Sequence, residues 1–257
     1  MITGGNLSTR RLSNALIMRP LFHIILLACV LFSTTTHADD RAITFNAFYK
    51  LYSSGMEIGE SRQNIRNTGN NRYIFESNSR TTGLAKILFN KQIIQQSQWQ
   101  MVNDRLVPVE YSYKRYRGDL DRIVTSHFDW ENQRVLNRVN DQKLELPLHE
   151  GMLDQLLYQF AIMHDMQNGV MPTQYTVADT RRLKTYYFDK LGEETITTPL
   201  GDLDTIKLLH YKKNDEKRLV FWCSPEYQYL PVKIEITEDD GRSITVMIQS
   251  VEGLKKS

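Results

Sequence analysis

A strongly curved antiparallel sheet or half-open β-barrel, with one amphipathic helix across its concave face, is predicted by three features of the 257-residue sequence. Runs dense in aromatic and β-branched residues recur along the chain, separated by clusters of Gly, Asn, Asp and Ser that mark turns. The apolar period switches with conviction to three and four only once, between 151 and 168. The stretch 218–250 reads as three successive strands, 219–223, 232–237 and 243–250, with Ser224-Pro225 and Asp240-Gly241 as breaks. Such a meander buries one face and needs a cover. With some dozen strands the sheet cannot stay flat, because strand twist curls it into a trough.

The elements follow in order. A first strand, 43–52, ends at Ser53-Ser54-Gly55. Strands 56–67 and 72–82 flank Asn67-Thr68-Gly69-Asn70-Asn71, residues that tolerate positive φ, and so form a hairpin. Gly83 to Phe89, GLAKILF, carries Leu84, Ile87 and Leu88 at helical spacing and is expected as one or two turns of helix at the sheet rim. Strand 92–102 places Ile93, Trp99 and Met101 on one face, and 106–117 and 120–130 pair about Gly118-Asp119. Short strands 135–139 and 143–146 end before Pro147. The helix, about 152–168, sets Leu153, Leu156, Leu157, Phe160, Ala161 and Met166 mostly three and four apart and stops at Asn168-Gly169. Beyond Pro172 come strands 174–178, 184–191, 193–198 and 205–212, then the C-terminal meander.

The first 38 residues read as a leader rather than as fold. Arg10, Arg11 and Arg19 precede an apolar run, 21–32, too short to span a bilayer, and Thr36-His37-Ala38 suits cleavage after Ala38. Met18-Arg19 would itself begin a leader of ordinary length, and Leu26-Leu27-Ala28-Cys29 offers an alternative lipid anchor at Cys29. The expected product is a single periplasmic domain, 39–257. The leader takes three of the 32 basic residues and none of the 30 acidic ones, so the apparent basicity disappears. A near-neutral chain lacks the concentrated positive stripe that nucleic acid requires, and no nucleic-acid partner is expected. Only Cys223 survives processing, so no internal disulfide forms.

The pieces YKLYSSGMEIGE, MLDQLLYQF, ETITTPLGDLDTIKL and FWCSPEYQYLPVKIEI, in that order and spacing, resemble an exported bacterial family of unknown function, DUF3108. The resemblance covers nearly all of 45–251, and the last two pieces are its specific part. The family is similar in architecture to the periplasmic lipoprotein carriers of the LolA and LolB type, in which a half-open barrel closed by helices holds acyl chains. That implies a sheet-and-helix trough here without implying the same cargo.

Inward-facing aromatics are expected at Phe45, Tyr49, Tyr73, Phe75, Trp99, Tyr111, Tyr113, Phe128, Trp130 and either Phe221 or Trp222, since strand alternation forbids both of the last two. The candidate trough lining is Tyr49, Phe75, Trp99, Tyr111, Tyr113, Leu153, Leu157, Phe160 and Trp222. For any single aromatic, core packing competes with ligand contact as its role. Catalytic constellations are largely absent. The sequence has no glycine-flanked nucleophilic serine, paired-histidine metal motif, phosphate loop or dinucleotide fingerprint, so no catalytic residue, metal or cofactor is assigned. His164 sits where a helix dipole favours a cation, and Cys223 beside Trp222 reads as a small buried apolar residue. Asp119 with Asp121 and Asp202 with Asp204 fall on turns that favour aspartate. The expected function is a non-catalytic module holding a lipid or other apolar molecule in the trough, with transient membrane contact. The alternative is an accessory protein of an envelope assembly whose sheet edge pairs with a partner strand. An enzyme is the least favoured class.

Overall fold

The computed structural model describes residues 44–213, 215–238 and 241–254. The expected leader, its cleavage after Ala38, the start at Met18 and the anchor at Cys29 lie outside the described residues.

The first half of the sheet comprises β1 (Phe45–Ser53), β2 (Met56–Gly69), β3 (Arg72–Thr81), β4 (Lys91–Val102), β5 (Arg105–Arg117), β6 (Asp119–Asp129), β7 (Arg134–Val139) and β8 (Gln142–Pro147). The second comprises β9 (Leu153–Asp154), β10 (Gln174–Ala178), β11 (Leu183–Thr198), β12 (Gly201–Tyr211), β13 (Arg218–Ser224), β14 (Leu230–Thr237) and β15 (Ser243–Glu252). Helix α1 (Gly83–Phe89) lies between β3 and β4, and α2 (Leu157–Gln167) between β9 and β10. Neighbours run β8-β7-β6-β5-β4-β3-β2-β1-β15-β14-β13-β12-β11-β10-β9. All ladders are antiparallel except β9 with β10, which is parallel. The curved antiparallel sheet and the expected hairpins are therefore present, with Asn70 and Asn71 both at positive φ in the β2–β3 turn.

Because the order is linear, the sheet is rolled without closing into a barrel, and β8 and β9 are its edges. Side chains bridge the gap that the ladders leave. Ser97 of β4 donates to a carboxylate oxygen of Asp154 in β9 at 2.5 Å. The Asn137 amide of β7 donates to the carbonyls of Asp179 and Thr180, beyond β10, at 3.3 and 3.2 Å.

Helix α2 differs from the sequence expectation in two ways. It begins at Leu157, not near 152, because Leu153 and Asp154 pair with Val177 and Ala178 as a strand. The Asp154 carboxylate then accepts the N–H groups of both Leu156 and Leu157 at 2.8 Å, satisfying donors that a helix start leaves open. It is also buried on nearly every side rather than along a single stripe: Leu157, Tyr158, Phe160, Ala161, Ile162, Met163 and Met166 are all buried, and of Gln159, His164, Asp165 and Gln167 only Gln167 is exposed. Phe160 packs toward β4, 5.1 Å from the Trp99 ring, while Tyr158 packs toward β11 and β12, 4.9 Å from Tyr186 and 5.5 Å from His210. The helix is thus wrapped by both halves of the roll. Its C-terminal turn is pinned to the β4–β5 turn by His164, whose Nε2 lies 3.1 Å from Asp104. Hydrogen bonding to Asp165, with Asp104 beside it, raises the His164 pKa against the opposing effect of burial.

The strands expected at 184–191 and 193–198 are one continuous β11. Gly192, at φ +137, absorbs a bulge in its ladder with β12 and so carries the strand through the break. Strand β12 likewise starts at Gly201, so Asp202 and Asp204, expected on a turn, lie within the strand.

Candidate functional site

The residues expected to line the trough converge on α2, where they pack as core. Tyr49, Phe75, Trp99, Tyr111, Leu153, Leu157 and Phe160 are all buried, and Tyr113 is half-buried against the same cluster. Trp99 stacks on Tyr73 at 4.4 Å, and the Tyr49 hydroxyl donates to the Pro231 carbonyl at 3.1 Å. None of these residues lines either of the two clefts described below.

Trp222 departs from the expectation. Alternation gives the inward position to Phe221, 6.1 Å from His210, and turns Trp222 to the outer face. There its Nε1–H donates to Glu194 at 3.0 Å, and the ammonium groups of Lys207 and Lys233 lie 4.8 and 4.1 Å from the ring. The lysine stems cover the ring while their charges reach water, so Trp222 is buried without facing the trough.

Other polar groups singled out in the sequence have structural surroundings. Cys223 is fully buried, and burial pushes its thiol well above the usual range, away from thiolate chemistry. His210 sits among Tyr158, Tyr186, Phe188 and Phe221; burial pushes its pKa down to about 4, so near neutral pH it packs as an uncharged ring. Asp121 accepts from Arg115 at 2.9 Å, while Asp202 and Asp204 accept the hydroxyls of Thr197 and Thr195 at 2.7 and 2.6 Å.

Open space is found at the rim, beside α1. This helix buries none of its side chains, leaving Leu84 80%, Ile87 80%, Leu88 73% and Phe89 65% exposed, with Met56 nearby at 68%. Backbone bonds hold its two ends: Thr82 N–H donates to the Ile58 carbonyl at 3.1 Å, and Gly118 N–H donates to the Asn90 carbonyl at 3.1 Å. An open cleft of about 1030 Å³ runs along it. One wall is Ile87, Leu88 and Phe89; Leu51, Ile58, Ile93 and Ile244 supply apolar side chains from β1, β2, β4 and β15. At Gly59 the β2 and β3 backbones approach so closely that a Cβ would lie 2.6 Å from the Arg80 carbonyl oxygen, so the sheet in this cleft requires glycine there.

A second cleft of about 360 Å³ adjoins the first and shares Arg80, Thr81, Asn90 and Lys91 with it; Thr82, Gly83, Lys86 and Gln92 complete its lining. Arg80 is ion-paired with Glu60 at 2.7 Å, and the acidic residue of the larger cleft, Glu238, pairs with Lys217 at 2.8 Å. Partial burial, and then the nearby cations Arg115 and Arg117, lower the Lys91 pKa.

The GLAKILF rim was legible in the sequence, but the cleft behind it was not. Its apolar residues are single aliphatic side chains from four strands far apart in the chain, and the aromatic density that drew attention to the trough marks the packed core instead.

The family model described as protein of unknown function (DUF3108) matches residues 44–249. The chain belongs to this family. No curated protein matches the sequence. Among solved structures, the DUF3108 chain is similar to a β-barrel-like protein of the domain of unknown function DUF1849 from Brucella abortus. The identity is 10% and the TM-score 0.55, covering 82% of this chain and 98% of the other. A candidate lipoprotein from Parabacteroides distasonis aligns over 82% and 96% of the two chains at 10% identity, with a TM-score of 0.34. The first likeness shows a shared β-barrel-like fold.

Proposed function

We propose that this DUF3108 chain is a non-catalytic module of the bacterial envelope that holds a lipid or other apolar molecule in the cleft beside α1. The observation that carries this reading is a seven-residue helix with four exposed apolar side chains and none buried, set along an open concave cleft. A helix this short gains little from its own hydrogen bonds, and contiguous exposed apolar surface marks a place where something binds. The cleft, about 1030 Å³, stands at the upper end of the range for small-molecule sites, roughly 300–1,000 Å³. The site therefore moves from between α2 and the sheet, where side chains fill the space, to the rim. The leader read in the sequence supports an exported location.

Protein isolated from its own cells is expected to carry acyl-chain material visible by native mass spectrometry and extractable into organic solvent. Leu88→Glu places a charge in the apolar wall and is expected to reduce that occupancy about tenfold. Stability should change by no more than about 0.5 kcal/mol, because Leu88 is a surface residue. Protein that carries no lipid and takes up no dodecanol would overturn the reading.

A further inference from the structure

We propose that the ligand of this rim site is an anionic amphiphile, with its chain in the larger cleft and its negative head in the smaller one, held by Lys86 and Lys91. The inference rests on the apolar-ligand reading above and adds the chemistry of the head.

The two clefts form one bipartite site. Their linings share Arg80, Thr81, Asn90 and Lys91, so the two clefts adjoin at the end of the β3–β4 ladder. The larger takes its apolar wall from α1 and four strands, and its lining also includes Arg117, Arg242 and the carboxylate of Glu238. The smaller has a different character: its lining carries three cations, two threonine hydroxyls and the amides of Asn90 and Gln92, with no carboxylate.

Those cations are not equivalent. Arg80 is neutralised by Glu60, whereas neither Lys86 nor Lys91 is ion-paired with a carboxylate among the described residues. Lys86 lies in the last turn of α1, and Lys91 opens β4 just beyond it. The same short segment that supplies the apolar wall thus brings two ammonium groups to the polar end. A neutral head would find hydrogen-bond partners here but would leave both charges uncompensated. A carboxylate or phosphate head gains the charge-assisted bonds that such donors make best.

The test uses the full mature chain and three ligands with the same twelve-carbon tail, each below its micellar concentration: dodecanol, dodecanoate and dodecyl phosphate. At low ionic strength both anions are expected to bind about tenfold more tightly than the alcohol, equivalent to about 1.4 kcal/mol. The preference should shrink as salt is added, because the lysines are near the surface. In the Lys86→Gln, Lys91→Gln double variant the anion-to-alcohol ratio should fall to within about twofold, and measurable dodecanol uptake shows that the cleft still forms. Equal affinities in the parent, or a preference that survives the double variant, would overturn the head-group assignment while leaving the apolar-ligand reading standing. Failure of all three ligands to bind would overturn both.

Discussion

Trp99→Ala is expected to lower stability by about 3–5 kcal/mol, the cost of removing a large aromatic from a packed interior. The indole is almost completely buried, stacks at 13° on Tyr73 and lies 5.1 Å from Phe160 of α2. It is therefore the piece through which β3 and β4 grip the helix. Its N–H has no hydrogen-bond partner among the described residues, so the contribution comes from shape and contact rather than from polar anchoring. Trp99→Phe should consequently cost far less than Trp99→Ala. Urea unfolding, with the midpoint and slope of both variants compared with the parent, measures this directly. A loss below about 1 kcal/mol for the alanine variant would mean that the space around α2 is loosely filled, and would return the trough to candidacy as a binding site.

Asp154→Asn is expected to change the pH dependence of stability, and its sign is set by burial. The carboxyl has no exposed surface, and desolvation pushes its pKa up to about 6 against the opposing bonds from Ser97, Leu157 and Leu156. A folded value above the unfolded 3.8 favours the folded state when the group is protonated. Its contribution is fully present below 3.8 and is lost as pH rises through about 6, a difference of roughly 3 kcal/mol. Asparagine is neutral throughout. Its oxygen can still accept from the helix start and its amide can face Ser97. Relative to the parent, Asp154→Asn should therefore gain about 1–3 kcal/mol on going from pH 4 to pH 8. Asp154→Ala, which leaves the Leu156 and Leu157 N–H groups without their acceptor, should be destabilising at both. Parallel pH profiles for the parent and the asparagine variant would sink this account.

Much of the sheet could be read from the sequence because its physics is local. The Asn70-Asn71 and Gly118 turns lie between runs whose side chains alternate, and Leu84, Ile87 and Leu88 already showed that GLAKILF was helical. What failed depended on partners distant in the chain. Leu153 and Asp154 sit at spacing suited to helix, and only the presence of Val177 and Ala178 alongside makes them a strand. The burial of α2 on nearly every side follows from its being enclosed by both halves of the sheet, which its own residues suggest only weakly. Phe221 and Trp222 cannot be told apart by residue type; their cross-strand neighbours, Leu208 and Ile234 beside Phe221 but Lys207 and Lys233 beside Trp222, settle which one turns outward. The rim cleft is not legible in the sequence for a related reason. Large aromatics fill space in the core, whereas the cleft is lined by aliphatic side chains such as Ile58, Ile93 and Ile244, which carry no distinguishing signal in the sequence.

The linear strand order also constrains how the molecule is assembled. Every ladder joins strands consecutive in sequence except one: β1 pairs with β15, from Asn46 opposite Glu252 to Tyr52 opposite Thr245. Apart from β9, which runs parallel to β10 and reaches it across α2, the strands on either side of that seam are antiparallel meanders with mostly short connections, whose loop-closure entropy is small. The seam closes a loop of nearly the whole domain and carries the largest closure penalty of any ladder. Local hairpins are thus the inexpensive steps, while the β1–β15 seam is the long-range event that turns two meanders into one sheet around α2.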